Sequence, residues 1–152
     1  MVIQMLNKEM IMKTICIAGS FDPVHCGHID HIRKAKALGD RLIVITHPDE
    51  ILIKKKGFCL LPLADRLAVL QSLIWVDSVV VSIDTDGTVA ETLKMIKPDF
   101  FAKGGDRTPN NMPGNEVEAC KEIGCEIVYG IGDLLTSSTE VFFSAMKQWN
   151  EQ

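Results

Sequence analysis

The chain has 152 residues, with 16 Lys+Arg against 20 Asp+Glu and a formal net charge of −4. Apolar residues make up 47% and charged residues 24%, a globular composition that excludes dominant disorder. The length suits one domain and falls short of the roughly 250 residues of a TIM barrel. The acidic balance argues against a protein built to coat DNA, and leaves room for a small phosphorylated ligand held by a few local cations.

Residues 1–12 read as an N-terminal extension to a single domain spanning 13–152. The extension carries Lys8 and Glu9 among apolar residues and lacks the charged, apolar and cleavage regions of a secretory signal. No stretch approaches the ~20 apolar residues of a membrane span. The five cysteines, Cys16, Cys26, Cys59, Cys120 and Cys125, include no CxxC pair. They read as reduced, buried thiols of a cytoplasmic protein.

In chain order, Lys13 to Ala18 is a short β-branched run that predicts a buried strand ending at Gly19. Residues from about His25 to Leu38 predict a helix stopped by Gly39. Arg41 to Thr46 predicts a second strand, followed by a polar loop containing Lys54, Lys55, Lys56 and Gly57. Pro62 opens a helix to about Leu73, with Leu63, Leu67 and Leu70 on one face. Ser78 to Ser82 predicts a third strand. Asp86 or Thr88 caps a helix to about Ile96, where Pro98 stops it. Phe100 to Ala102 is a short fourth strand, and Lys103 to Gly114 a Gly/Pro/Asn-rich loop. Asn115 to Ile123 predicts a helix, Glu126 to Tyr129 a fifth strand, and Thr136 or Ser137 starts a last helix to about Trp149.

Strands alternate with helices, and the strands are continuous apolar runs. That pattern predicts an α/β fold: a doubly wound, Rossmann-like, five-stranded parallel sheet with helices on both faces. Ligands of such folds sit at the carboxyl ends of the strands, so functional residues should follow strands.

After the first strand comes Gly19-Ser20-Phe21-Asp22-Pro23-Val24-His25-Cys26-Gly27-His28. Gly19 frees the backbone at the strand end, and Asp22-Pro23 signals a turn. His25 and His28 lie three apart at a helix start, so their rings share a face. Gly27 between them permits close approach of backbone or ligand. The helix N-terminus offers N–H groups and partial positive charge, and two imidazoles there can donate to phosphate oxygens. Neither a GxxxxGK[ST] nor a GxGxxG pattern is present. A zinc site of His25, Cys26, His28 and His31 is a weaker reading, because helical spacing swings Cys26 off the shared face. His31 reads as a surface histidine in preference to a substrate contact, Cys120 and Cys125 as core-facing, and Trp75 and Trp149 as packing residues.

GSFDPVHCGH resembles the HxGH signature of the nucleotidyltransferase superfamily, the cytidylyltransferase-like enzymes. LGDRLIVITHPDEILIKKKG and PLADRLAVLQSLIWVDSVVV resemble the segments that follow it there. IKPDFFAKGGD and TSSTEVF resemble parts of the bacterial heptose-1-phosphate adenylyltransferases, with glycerol-3-phosphate cytidylyltransferases close behind. The resemblance covers roughly residues 13 to 145.

The resemblance implies catalytic roles for His25, His28 and a lysine of the Lys54–Lys56 run, Lys56 fitting best. It implies nucleotide or phosphate contacts for Gly19, Ser20, Phe21, Asp22, Arg66, Lys103, Gly104, Asp106, Ser137, Ser138 and Thr139, with Gly105 in the same loop. The activity implied is transfer of a nucleoside monophosphate from an NTP to a phosphorylated sugar or polyol, releasing pyrophosphate. Mg²⁺ would travel with the NTP, without a dedicated metal cage. Neither nucleic acid nor membrane is implied as a partner, and family analogy suggests a homodimer. Where glycerol-3-phosphate cytidylyltransferases have Arg-Thr-Glu-Gly, this chain has Gly132-Asp133-Leu134-Leu135, which favours ATP over CTP. The alternatives are a cytidylyltransferase for a phosphorylated polyol or alcohol, and a non-catalytic nucleotide sensor.

Overall fold

The computed structural model describes residues 11–152. Most of the extension read at residues 1–12 lies outside them. Five strands form one parallel sheet: β1 Thr14–Gly19, β2 Arg41–Thr46, β3 Ser78–Val81, β4 Phe100–Ala102 and β5 Glu126–Val128, in the order β3-β2-β1-β4-β5. Six helices join and flank them: α1 Cys26–Lys36, α2 Asp49–Lys56, α3 Leu63–Ser72, α4 Ala90–Ile96, α5 Gly114–Ile123 and α6 Ser138–Asn150. The expected architecture is the observed one, with element ends shifted by a few residues. β1 pairs with β2 along its whole length, from Thr14 opposite Arg41 to Gly19 opposite Thr46.

Side chains alternate across a strand, and the two faces bury different sets. Ile15 and Ile17 of β1 and Leu42 and Val44 of β2 pack with Ile32 and Ala35 of α1 and Leu70 of α3. Cys16, Ile43, Ile45 and Phe101 pack on the other face with Val89, Leu93 of α4 and Cys120 of α5. Each large apolar side chain so buried contributes about 1.5–3 kcal/mol. The same alternation decides where residues just past the strands point, which matters for the site.

Three local expectations change. The Lys-rich stretch is helical: Asp49 and Glu50 stand in the first turn of α2, Lys54 to Lys56 in the last, and Gly57 closes it at φ 86°. That order of charges complements the helix dipole. Trp149 is 73% exposed rather than packed, whereas Trp75 does pack on the α1/α3 face. Cys26 is exposed and Cys59 half-buried, while Cys16, Cys120 and Cys125 are buried, all five as free thiols. No helix among the described residues is long and apolar enough to cross a membrane.

Candidate active site

A cleft of about 350 Å³ opens at the carboxyl edge of the sheet. It straddles β1 and β4, where the strand order reverses after the β1–β2–β3 half. This is the switch point at which doubly wound sheets take ligands. Gly19, Ser20, Phe21, His25 and His28 line it from the β1 side, Lys103, Gly104, Gly105 and Asp106 from the β4 side. Thr136, Ser137, Ser138 and Thr139 close it from the start of α6.

His25 is the N-cap of α1, and its Nδ1 accepts from the amides of Gly27 (3.1 Å) and His28 (3.4 Å). His28 reaches back, its Nδ1 accepting from the His25 amide at 3.2 Å. The pair is a capping box built from histidines. An Nδ1 that accepts from backbone N–H carries no proton, so the neutral ring keeps its proton on Nε2. Burial lowers the pKa of His25; burial first, then the charge of His25, pushes that of His28 down to about 3. Two neutral imidazoles with protonated Nε2 atoms therefore line the cleft. The expectation of free α1 amides is corrected, since those of Gly27 and His28 are spent on His25. The imidazole Nε2 atoms take over as the donors.

Lys55 and Lys56 of α2 and Lys103 past β4 line the cleft; Lys54 does not. Burial lowers the pKa of Lys56 and of Lys103, the latter opposed by Glu116. Arg66 and Asp22, named with the nucleotide contacts from the resemblance, do not line the cleft. Arg66 is 0% exposed and its guanidinium is fully engaged. Nε donates to Leu61 O; one terminal nitrogen donates to Ser20 O and Thr46 Oγ1, the other to His47 O and Asp49 at 2.6 Å. Asp22 accepts from the amides of Leu60 (2.8 Å) and Leu61 (2.6 Å). Both residues brace the β1 and β2 loops, and Asp22 precedes a cis peptide bond to Pro23.

The hydroxyl cluster divides its work. Ser137 caps α6, its Oγ accepting from the Glu140 amide at 3.1 Å, while Glu140 accepts from the Ser137 amide. Ser138 donates to Pro23 O at 3.1 Å, tying α6 to the loop before α1. The helix start thus presents the Ser138 and Thr139 amides toward the cleft, an arrangement that suits phosphate. Opposite, Gly132 sits at φ 97°, and a Cβ there would lie 3.0 Å from His31 Cα.

Three further residues stand at the cleft, two of them, His47 and Glu116, not singled out by the sequence. His31 is not a surface residue: it is half-buried, its Nδ1 is hydrogen-bonded to Ile131 O, and it lines the cleft. His47, directly after β2, is 4% exposed, and its Nδ1 has no partner among the described residues. Glu116, in the first turn of α5, is 5% exposed. Its Oε1 accepts from the Val89 amide at 3.1 Å; Oε2 has no hydrogen-bond partner among the described residues, with Lys103 Nζ 4.0 Å away. The placement of His47 was available from strand alternation; that of His31 depends on a loop one hundred residues away. No group of three His, Cys, Asp or Glu among the described residues is arranged to hold a metal ion.

A Rossmann-like parallel sheet with two helix starts at one cleft is the architecture of a nucleotidyltransferase-like protein. The cytidylyltransferase-like family model matches residues 16–150, and the chain belongs to that family. It is 38% identical over 101 residues to the bifunctional protein HldE of Halorhodospira halophila, a match covering 65% of this chain and 21% of HldE. It is 41% identical over 95 residues to the FAD synthase of Pyrococcus abyssi, covering 61% of this chain and 63% of the synthase. The chain thus spans about a fifth of HldE and under two thirds of the synthase. The crystal structure of the lipopolysaccharide core biosynthesis protein from Thermoplasma volcanium superposes with a TM-score of 0.65 at 26% identity, covering 80% of this chain and 98% of that one.

Proposed function

We propose that the chain transfers a nucleoside monophosphate, AMP in preference to CMP, from an NTP to the phosphate of a phosphorylated sugar or polyol. The observation that carries this reading is the histidine capping box, which aims two neutral donors at a cleft also lined by Lys56 and the start of α6. An oxygen of the acceptor phosphate attacks the α-phosphorus. The bond from that phosphorus to the bridging oxygen breaks, and pyrophosphate leaves with the electron pair. The attacking oxygen is already anionic, so no general base is needed. Catalysis is positioning and neutralisation of spread charge. His25 and His28 donate to the α-phosphate oxygens, Lys56 offsets phosphate charge, and the Ser138 and Thr139 amides hold the leaving pyrophosphate.

Mg²⁺ would travel on the triphosphate, with Asp106 of the cleft lining a candidate to second it. When bound, it supplies further neutralisation of phosphate charge. The preference for ATP rests on Gly132-Asp133-Leu134-Leu135, which carries no arginine. A homodimer is supported by the apolar residues that α6 leaves exposed, Val141, Phe143, Met146 and Trp149. Five unpaired cysteines support a cytoplasmic location. The test is pyrophosphate release from each NTP with Mg²⁺ and a panel of sugar and polyol phosphates. Tight NTP binding without turnover on any acceptor would mark a sensor instead.

A further inference from the structure

His25, His28 and His31 follow one another at intervals of three along α1, and all three line the cleft. That spacing keeps them on one face of the helix. The first two rings accept backbone amides at Nδ1, which leaves their Nε2 atoms protonated. His31 is wired the other way. Its Nδ1 is hydrogen-bonded to the carbonyl oxygen of Ile131. A carbonyl oxygen only accepts, so this Nδ1 carries the proton. Burial lowers the pKa of the ring, which stays neutral. Its Nε2 is therefore a bare lone pair, an acceptor next to two donors. Among the described residues this Nε2 has no hydrogen-bond partner, and it is not sealed from solvent as His47 Nδ1 is.

The fold fixes this tautomer. Gly132 lies against His31, where a Cβ would stand 3.0 Å from the His31 Cα. The Asp133 amide donates to Asp30 at 3.2 Å, and Lys34 reaches Asp133 at 3.7 Å. On the other side the Ile131 amide donates to Lys103 O at 2.9 Å, and a Cβ on Gly105 would lie 2.9 Å from Gly132 O. Residues 131–133 are thus clamped between α1 and the loop after β4, which holds the Ile131 carbonyl on the His31 ring.

A lone pair repels phosphate oxygens, which only accept. An NTP carries its O–H and N–H donors on the nucleoside alone. Three residues of helix set His31 about 4.5 Å along the axis from His28, a step of the size that separates an α-phosphate from its own sugar. His31 also grips the loop that runs into α6, whose amides hold the leaving pyrophosphate in the proposed reaction. The acceptor enters in line from the opposite side of the phosphorus, so the ligand beside His31 is the NTP.

We infer that His31 is a specificity-determining contact to the nucleoside of the NTP, its Nε2 accepting one hydrogen from a ribose hydroxyl or from the exocyclic amine of the base. This rests on the transferase reading and adds a residue to it.

The experiment measures equilibrium affinity for ATP, 2′-deoxyATP, 3′-deoxyATP and inosine triphosphate, with Mg²⁺ and no acceptor, in the wild type, His31→Asn and His31→Phe. Asparagine sets its amide nitrogen where Nδ1 stands, so it keeps the bond to Ile131 O and loses only Nε2; phenylalanine loses both. At least one analogue should bind the wild type about fivefold more weakly than ATP, the loss of one hydrogen bond. It names the donor: a hydroxyl for the deoxy analogues, the amine for inosine triphosphate. In either variant the ratio of that analogue to ATP should fall to within about twofold of one, whatever the overall loss, because the missing group no longer has a partner. A merely structural histidine would weaken every ligand together and leave the ratio as in the wild type. That unchanged ratio in a folded variant overturns the contact, and so does a wild type indifferent to all three analogues, an outcome that needs no variant to fold. Pyrophosphate release with sugar and polyol phosphates is measured alongside on the wild type. Turnover without nucleoside discrimination overturns the contact alone; discrimination lost in the variants, without turnover on any acceptor, upholds the contact and overturns the transferase reading. No binding of any of the four nucleotides overturns both.

Discussion

The rings of His25 and His28 stack at 3.7 Å between centroids while each Nδ1 accepts a hydrogen bond from backbone at the start of the same helix. One pair of side chains therefore caps α1 and sets Nε2 as the ring nitrogen left free. Removing His28 should damage both roles unequally. His28→Ala is expected to lower turnover by about 10²–10³, the cost of a lost oxyanion-type donor. The lost half of the capping box should cost about 1 kcal/mol of stability. Steady-state kinetics and urea unfolding measure the two effects. Near-normal turnover in a folded variant would remove His28 from the mechanism.

The histidines also set the pH response. Burial, reinforced by the charge of His25, holds His28 down to about 3; burial, then Lys55, holds His47 down to about 4. Protonation is thus harder in the folded chain than in the unfolded one, whose histidines titrate near 6.5. The stability these groups contribute is complete above pH 6.5 and is lost as pH falls toward 4 and then 3. Urea midpoints should drop across that window, and His47→Gln should flatten the drop. Turnover corrected for folded protein should show no acid limb centred at 6.5. A midpoint constant from pH 7 to 4 would contradict the account.

Arg66 and Lys56 should separate stability from activity. Arg66 is wholly buried and donates to five oxygens, among them Asp49. Arg66→Met leaves those acceptors unpaired and should destabilise by about 3–5 kcal/mol. Lys56→Ala removes a half-buried cation that makes no ion pair within 4 Å among the described residues and should stay within about 0.5 kcal/mol of the wild type, yet slow turnover at least tenfold by loss of charge neutralisation. Unfolding curves and kcat for both variants check this. The opposite assignment, a stable inactive Arg66→Met, would return Arg66 to the phosphate site.

The contrast between Arg66 and the strands shows what a sequence makes legible. Continuous β-branched runs such as RLIVIT state their own burial, so the sheet, the order of elements and a cleft at the strand ends are legible from local pattern. The pairing of His25 with His28 at the start of α1 is legible for the same reason, since the two rings lie within four residues. The burial of Arg66 is not legible in this way, because its acceptors, Ser20, Thr46, His47, Asp49 and Leu61, come together only in the fold. Residues 49–56 carry no helical signature in the sequence, because only Ile51 and Leu52 of α2 are buried, too few to mark an amphipathic face beside five charges. His31 was hidden by a contact with Ile131, across most of the chain.

Gly27 gives the sharpest test of the histidine geometry. A Cβ at this position would lie 3.1 Å from both Cε1 and Nδ1 of His25. Three ångströms to a ring that is stacked on His28 and held by two amides leaves little room to yield. Gly27→Ala should therefore turn the His25 ring, lengthen its bonds to the Gly27 and His28 amides, and misplace Nε2. Alanine is also the better helix former by about 1 kcal/mol, which offsets part of the lost capping. The expected outcome is a thermal midpoint within a few degrees of the wild type, with kcat lower by about tenfold and an ATP KM little changed. Methyl addition that left kcat intact would show that the His25 ring is free to move, and that catalysis does not depend on the capping box.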